Sequence, residues 1–163
     1  MAQGFRQAQV LLTCVELGIL EALKDGATTA GQVAAAIDAD TCGTELLLNG
    51  AAALGLLDKS TDHFSNIPLV SACLLPDAPG SMARSVQLQA AFYKRWGRLA
   101  DAVRSGQRLE ADRRDEQADD WVRSFVYGLY DMAQPVAPFV AEALDLPTGR
   151  PLRVIDVGGC HAA

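Results

Sequence analysis

Between Ala8 and Leu23 the apolar side chains occupy two helical faces at once. Ala8, Leu11, Leu12, Val15, Ile19, Ala22 and Leu23 recur at helical spacing along one face, and Val10, Cys14, Leu17 and Leu20 along a second. A helix apolar on nearly all sides has to be covered on both, and one layer of core covers one. The segment is therefore expected to lie between its own domain and a second copy of the chain. A central helix inside a monomeric core is the alternative.

Downstream, short helices follow with their own punctuation. Thr29-Ala30-Gly31-Gln32 has the form of a capping box and opens a helix through Val33 and Ile37. Asp40 is placed to cap the next helix, which should turn Leu46, Leu47, Ala51 and Leu54 inward and stop near Gly55. Leu56-Leu57-Asp58-Lys59 and His63-Phe64-Ser65 then read as two strands around the polar turn Ser60-Thr61-Asp62. Helix, helix, helix, hairpin is the order of a winged helix. After Pro76, Pro79 and Gly80, Ser81 should cap a long helix bearing Met82, Val86, Tyr93, Trp96, Ala100 and Val103, ending at Gly106. Residues 107–120 are mostly charged and read as a solvated loop. Asp119 or Asp120 should cap a helix with Trp121, Phe125, Leu129 and Met132 on one face, and Pro135 and Pro138 should bend or restart it into a last helix bearing Phe139, Val140 and Leu144. A linker, Asp145 to Pro151, precedes a strand at Val154 that runs into the glycine turn Gly158-Gly159.

Composition narrows the function classes. With 50% apolar and 21% charged residues in 163, the chain can bury a core. A net charge of −6 gives a long-range field of the wrong sign for phosphate backbones or anionic membranes. Between Gly26 and Leu57 there is no Lys or Arg, so the third helix offers a DNA groove no cation, and a DNA-binding regulator is the weakest reading. The basic residues from Arg84 to Arg114 are interspersed with acids, as on a solvated surface. Cys14, Cys42, Cys73 and Cys160 form no CxxC pair and have no histidine at ligand spacing, which points to reduced thiols, no metal site and a cytoplasmic location. Neither a signal peptide nor an apolar run of membrane-spanning length is present.

A set of short motifs then carries a resemblance. Gly4-Phe5 with Leu12 to Ile19, Thr29 to Ala34, Leu54-Gly55-Leu56-Leu57, Trp96-Gly97-Arg98-Leu99 with Ser105-Gly106, and Val154-Ile155-Asp156-Val157-Gly158-Gly159 stand in this order along the chain. Together they resemble the plant-type and bacterial small-molecule O-methyltransferases that use S-adenosylmethionine. The resemblance implies a mainly α fold: a winged-helix-containing helical dimerisation domain over 1–106, a charged loop over 107–120, connecting helices over 121–146, and over 147–163 a linker with the first strand of a truncated Rossmann-like α/β domain. It implies a homodimer through the N-terminal helices and a small, aromatic or polyketide-like hydroxyl substrate, with no nucleic acid and no membrane as partner.

For the site, the resemblance implies that Asp156, Gly158 and Gly159 belong to an incomplete cofactor loop, because Cys160 and Ala162 stand where the family has glycines and a side chain there obstructs close backbone approach. It implies an acceptor pocket lined by Phe5, Trp121, Phe125, Leu129 and Met132, although a stripe at helical spacing is more often core. Neither His63 nor His161 matches the family's general base, so no catalytic residue is assigned. The expectation is a chain that neither binds S-adenosylmethionine nor methylates by itself. A free-standing relative serving as a ligand-binding or helper subunit is the alternative.

Overall fold

The computed structural model describes residues 2–107, 119–146, 149, 151–153, 155 and 157, and the side chains of 119–121, 123 and 124 lie outside the description. It is mainly helical. Helix α1, Gly4–Glu16, ends where the Leu17 and Gly18 amides donate to the Thr13 and Val15 carbonyls, and Gly18, at φ +73°, turns the chain into α2, Ile19–Lys24. A positive φ suits glycine because no Cβ meets the backbone there. This corrects the single helix expected over 8–23. It also changes the burial argument, because a break gives each half its own inward face. Cys14, Val15, Ile19 and Leu20 are all buried within one chain. Of the large apolar side chains in this stretch, Phe5 and Leu17 are left exposed.

Helix α3, Ala30–Ala36, is opened by the expected capping box: Gln32 N–H donates to Thr29 Oγ1, and the amides of Thr28 and Thr29 donate to Gln32 Oε1. Helix α4, Thr41–Ala53, is capped by Asp40, whose Oδ1 accepts from Gly43 N at 2.8 Å. Its inward row is Thr44, Leu48 and Ala51, while Leu46 is exposed. Three leucines in succession, 46 to 48, leave the phase of a helix open, and packing against α1, α3 and the following strand selected Leu48.

Strands β1, Leu57–Ser60, and β2, His63–Asn66, pair antiparallel with Leu57 opposite Asn66 and Ser60 opposite His63, around a two-residue turn with Thr61 at φ +58°. Leu57 and Phe64 point into the core. A bridge between Thr29 and His63, with Phe64 N–H donating to Thr28 O at 2.7 Å, ties the hairpin to the start of α3. Asn66 Nδ2 reaches the Leu20 carbonyl of α2 at 2.8 Å. The order of three helices and a hairpin is thus realised by α2, α3, α4 and β1–β2.

Helix α5, Pro68–Cys73, was not expected from the sequence; its proline sits in the first turn, where a missing N–H costs no bond. The Cys73 carbonyl accepts from Met82 N at 2.7 Å, which sets the start of α6, Ala83–Trp96. The long helix expected to reach Gly106 is interrupted after Trp96, and α7, Leu99–Ser105, ends at Gly106 with φ +65°. Gly97, a poor helix former, lies at the break. Helix α8, Asp119–Ala133, and α9, Ala137–Ala143, follow, the second restarting after Pro135 with Pro138 in its first turn.

The elements stack in the order α4, α1, α6, α8, and the main core gathers side chains from α1 to α5 and both strands. Toward the far end the cover thins. Trp96 and Val103, on the apolar row of the long helix, and Phe139 of the last helix are each about 70% exposed. The buried side of α6 is instead Ala83, Ser85 and Leu88, along the half that α1 and α8 cover. Of the strand expected at Val154, Val154 and Asp156 lie outside the described residues, while the described Ile155 and Val157 are 79% and 90% exposed. A strand needs a neighbouring edge for its amides and carbonyls, and the sheet found among the described residues is the β1–β2 pair. Among the described residues no helix is long and apolar enough to cross a membrane.

Candidate functional site

Helix α8 carries most of the expected acceptor wall. Phe125 and Leu129 are half-buried and Met132 is exposed, while the side chain of Trp121 lies outside the described residues. Phe5 stands exposed on the first turn of α1 with the Arg6 guanidinium 5.9 Å from its ring centre. The aromatic stripe is therefore not the docking face of α8. That face is centred on Gly128 and Asp131, which are buried.

Three residues that sequence reasoning missed hold this contact. Arg84 of α6 forms a two-pronged ion pair with Asp131, Nη2 to Oδ1 at 2.5 Å and Nε to Oδ2 at 3.2 Å. The Asp131 side chain is 2% exposed, so the carboxylate is withdrawn from water and satisfied by the guanidinium fork. The hydrogen bond that Arg84 donates to Asp131 raises the guanidinium pKa above its ordinary value. Tyr127 stacks beside the same guanidinium, 4.9 Å from ring centre to Cζ. A turn away, a Cβ placed on Gly128 would lie 3.1 Å from Leu88 Cβ and 3.2 Å from the Arg84 carbonyl oxygen. A glycine inside an otherwise helical stretch and an acid within an apolar one were the available signals.

Other candidate groups fall elsewhere. His63 lies exposed on β2 with Nδ1 2.7 Å from Asp62 Oδ1, away from α8 in the fold order. Lys59, the hairpin's cation, is engaged with Asn49 Oδ1 at 2.7 Å and lies 5.2 Å from the centre of the Phe64 ring. Cys14 is buried and its thiol is pushed up to about 11 by desolvation, whereas Cys42 is exposed. Among the described residues no cluster of three or more His, Cys, Asp or Glu could hold a metal ion. A shallow depression of about 350 Å³ at the junction of α1, α2 and α3 is lined by Leu17, Glu21, Asp25 and Ile37 among others.

Asp156, Gly158 and Gly159, expected in the cofactor loop, lie outside the described residues. Their described neighbours Ile155 and Val157 are exposed.

Comparison with known proteins places the chain. Residues 1–76 match the O-methyltransferase dimerisation domain. The chain is 29% identical, over 98% of its length, to 47% of 3-hydroxy-5-methyl-1-naphthoate 3-O-methyltransferase from Streptomyces sahachiroi. It is 32% identical, over 96% of its length, to half of acetylserotonin O-methyltransferase from Macaca mulatta. Human N-acetylserotonin methyltransferase, solved in complex with SAM, superposes on 88% of this chain with a TM-score of 0.75 at 28% identity, and the match covers 47% of that enzyme. The chain spans about half the length of the curated relatives it matches. Residues 1–76 carry the dimerisation domain of the O-methyltransferase family, and the mainly helical fold is that of the matching part of a solved O-methyltransferase.

Proposed function

We propose that this chain is the dimerisation and acceptor-pocket part of an S-adenosylmethionine-dependent O-methyltransferase acting on a small aromatic or polyketide-like hydroxyl compound. In this reading α2, α3, α4 and the hairpin form a winged helix used for assembly and not for DNA. The observation that carries it is the set of exposed apolar side chains Trp96, Leu99, Val103, Phe139, Val140 and Leu144 on α6, α7 and α9, in a chain whose residues 1–76 match a dimerisation domain. Surfaces of that kind mark association sites. A second copy of the chain is the partner this reading assigns to them.

The acceptor is held by the Phe125, Leu129 and Met132 side of α8, with Phe5 as a wall contributed across the dimer. These side chains bind a ring by excluding water and carry no group that moves a proton. Methyl transfer needs the hydroxyl deprotonated and aligned with the sulfonium methyl that S-adenosylmethionine supplies when bound. No described residue is assigned to the deprotonation, and the chain alone is not expected to turn over.

Two measurements test the reading. Sedimentation equilibrium over a dilution series should give a dimer, and a well-folded monomer throughout would overturn the assembly. NMR titration with 1-naphthol should shift the Met132 methyl and the Phe125 ring saturably, and unmoved resonances would overturn the acceptor wall.

A further inference from the structure

We propose that Arg84, Gly128 and Asp131 form a joint that sets the position of α8, and with it the Phe125, Leu129 and Met132 face, on the body of the domain. The use of the joint for acceptor binding rests on the function proposed above; its mechanical role does not.

The argument begins with how α8 is attached. It packs chiefly against α6, and α6 in turn packs on α1, where Lys94 pairs with Glu16 at 3.3 Å. Whatever fixes α8 on α6 therefore fixes it relative to residues 1–76. Two independent features do so. The first is close approach: among the described glycines, Gly128 is the one whose added Cβ would come within 3.4 Å of neighbouring atoms, and two of those atoms, Leu88 Cβ and the Arg84 carbonyl, cannot swing aside. The second is the Arg84–Asp131 fork, which closes in one orientation because both carboxylate oxygens are used. Arg84 belongs to both, supplying its carbonyl to the glycine contact and its guanidinium to Asp131. Packing alone would let a helix slide or roll. A glycine contact with a two-pronged pair beside it defines both height and rotation.

The closing experiment is amide hydrogen exchange on the full chain. Gly128→Ala should accelerate exchange across α8 about tenfold or more while the amides of α1 to α4 keep their rates. Should Gly128→Ala fail to fold, Asp131→Asn reads the same joint at nearly constant volume, with a smaller acceleration confined to α8. Arg84→Lys, which keeps the charge and loses the fork, should loosen α8 as Asp131→Asn does. Unchanged α8 exchange in the variants that fold would overturn the joint, and so would equal acceleration of α1 to α4, since the contact would then support the whole fold. If α8 loosens as expected yet 1-naphthol binds neither the wild type nor the variants, the joint stands and the acceptor-wall reading fails.

Discussion

The half of the molecule from α1 to the start of α6 and the half from the end of α6 onward use apolar residues in opposite ways. In the first, Ile19, Val33 and Leu48 are wholly buried, two helices are opened by side-chain caps, and the hairpin is tied to α2 and α3 by hydrogen bonds. In the second, α7 and α9 bury no residue, and Trp96, Val103, Phe139 and Leu144 face outward. Both halves are rich in large apolar side chains, so richness in such residues does not distinguish a core from an interface. What distinguishes them is whether a second layer exists within the same chain. Helix α8 lies between the two regimes, joined to α6 through Gly128 and Asp131 and open on its aromatic side.

The comparison breaks most easily in the core. Leu48→Ala should lower the unfolding free energy by about 2–5 kcal/mol, because it empties space that α1, α3 and β1 cannot refill; a smaller loss in denaturant titration would mean that the first half is less closed than described. A titratable probe of the same closure is Cys14. Its pKa rises from 9.0 to about 11 on folding, so above pH 9 the unfolded chain releases a proton that the folded chain retains. Stability is therefore full below pH 9 and falls as pH rises toward 11, by roughly 3 kcal/mol at most. Cys14→Ala should remove this part of the alkaline loss, and an unchanged pH profile would show that the thiol is hydrated.

Local structure gives a smaller effect. Thr29→Ala removes one half of the capping box and should cost about 1 kcal/mol in thermal unfolding, since Gln32 can still accept from the Thr28 amide. The smallest change in fold stability is expected in the second half. Phe139→Ser should leave monomer unfolding within about 0.5 kcal/mol, as for surface positions generally, while weakening self-association measured by sedimentation. A large loss of fold stability from Phe139→Ser would erase the contrast between the halves.

Much of the local structure was legible in the sequence. The caps at Thr29 and Asp40, the hairpin with its Thr61 turn, the stop at Gly106 and the restart after Pro135 each rest on a residue whose preference acts within a few positions. Phase and partnership were not legible. Leu46 and Leu48 differ little as residues, and only the position of α1, α3 and β1 decides which is buried. The two apolar faces over 8–23 read as a demand for a second chain, whereas the αL turn at Gly18 lets one chain bury most of both. Of the expected site, the spacing of Phe125, Leu129 and Met132 was readable, but the contact that holds them was not, because Arg84 and Asp131 are 47 positions apart.

By itself the sequence determined the caps and stops of several helices, where the chain reverses, and that it carries more apolar surface than a solvated helix array needs. Caps, turns and helical spacing are short-range, and a single sequence states them directly. The tertiary structure alone decided which apolar rows became core, which stayed open, and that a glycine and an ion pair with the buried Asp131 lock α8 to α6. Burial is a property of the layer that covers a side chain, and that layer is supplied by residues far away along the chain.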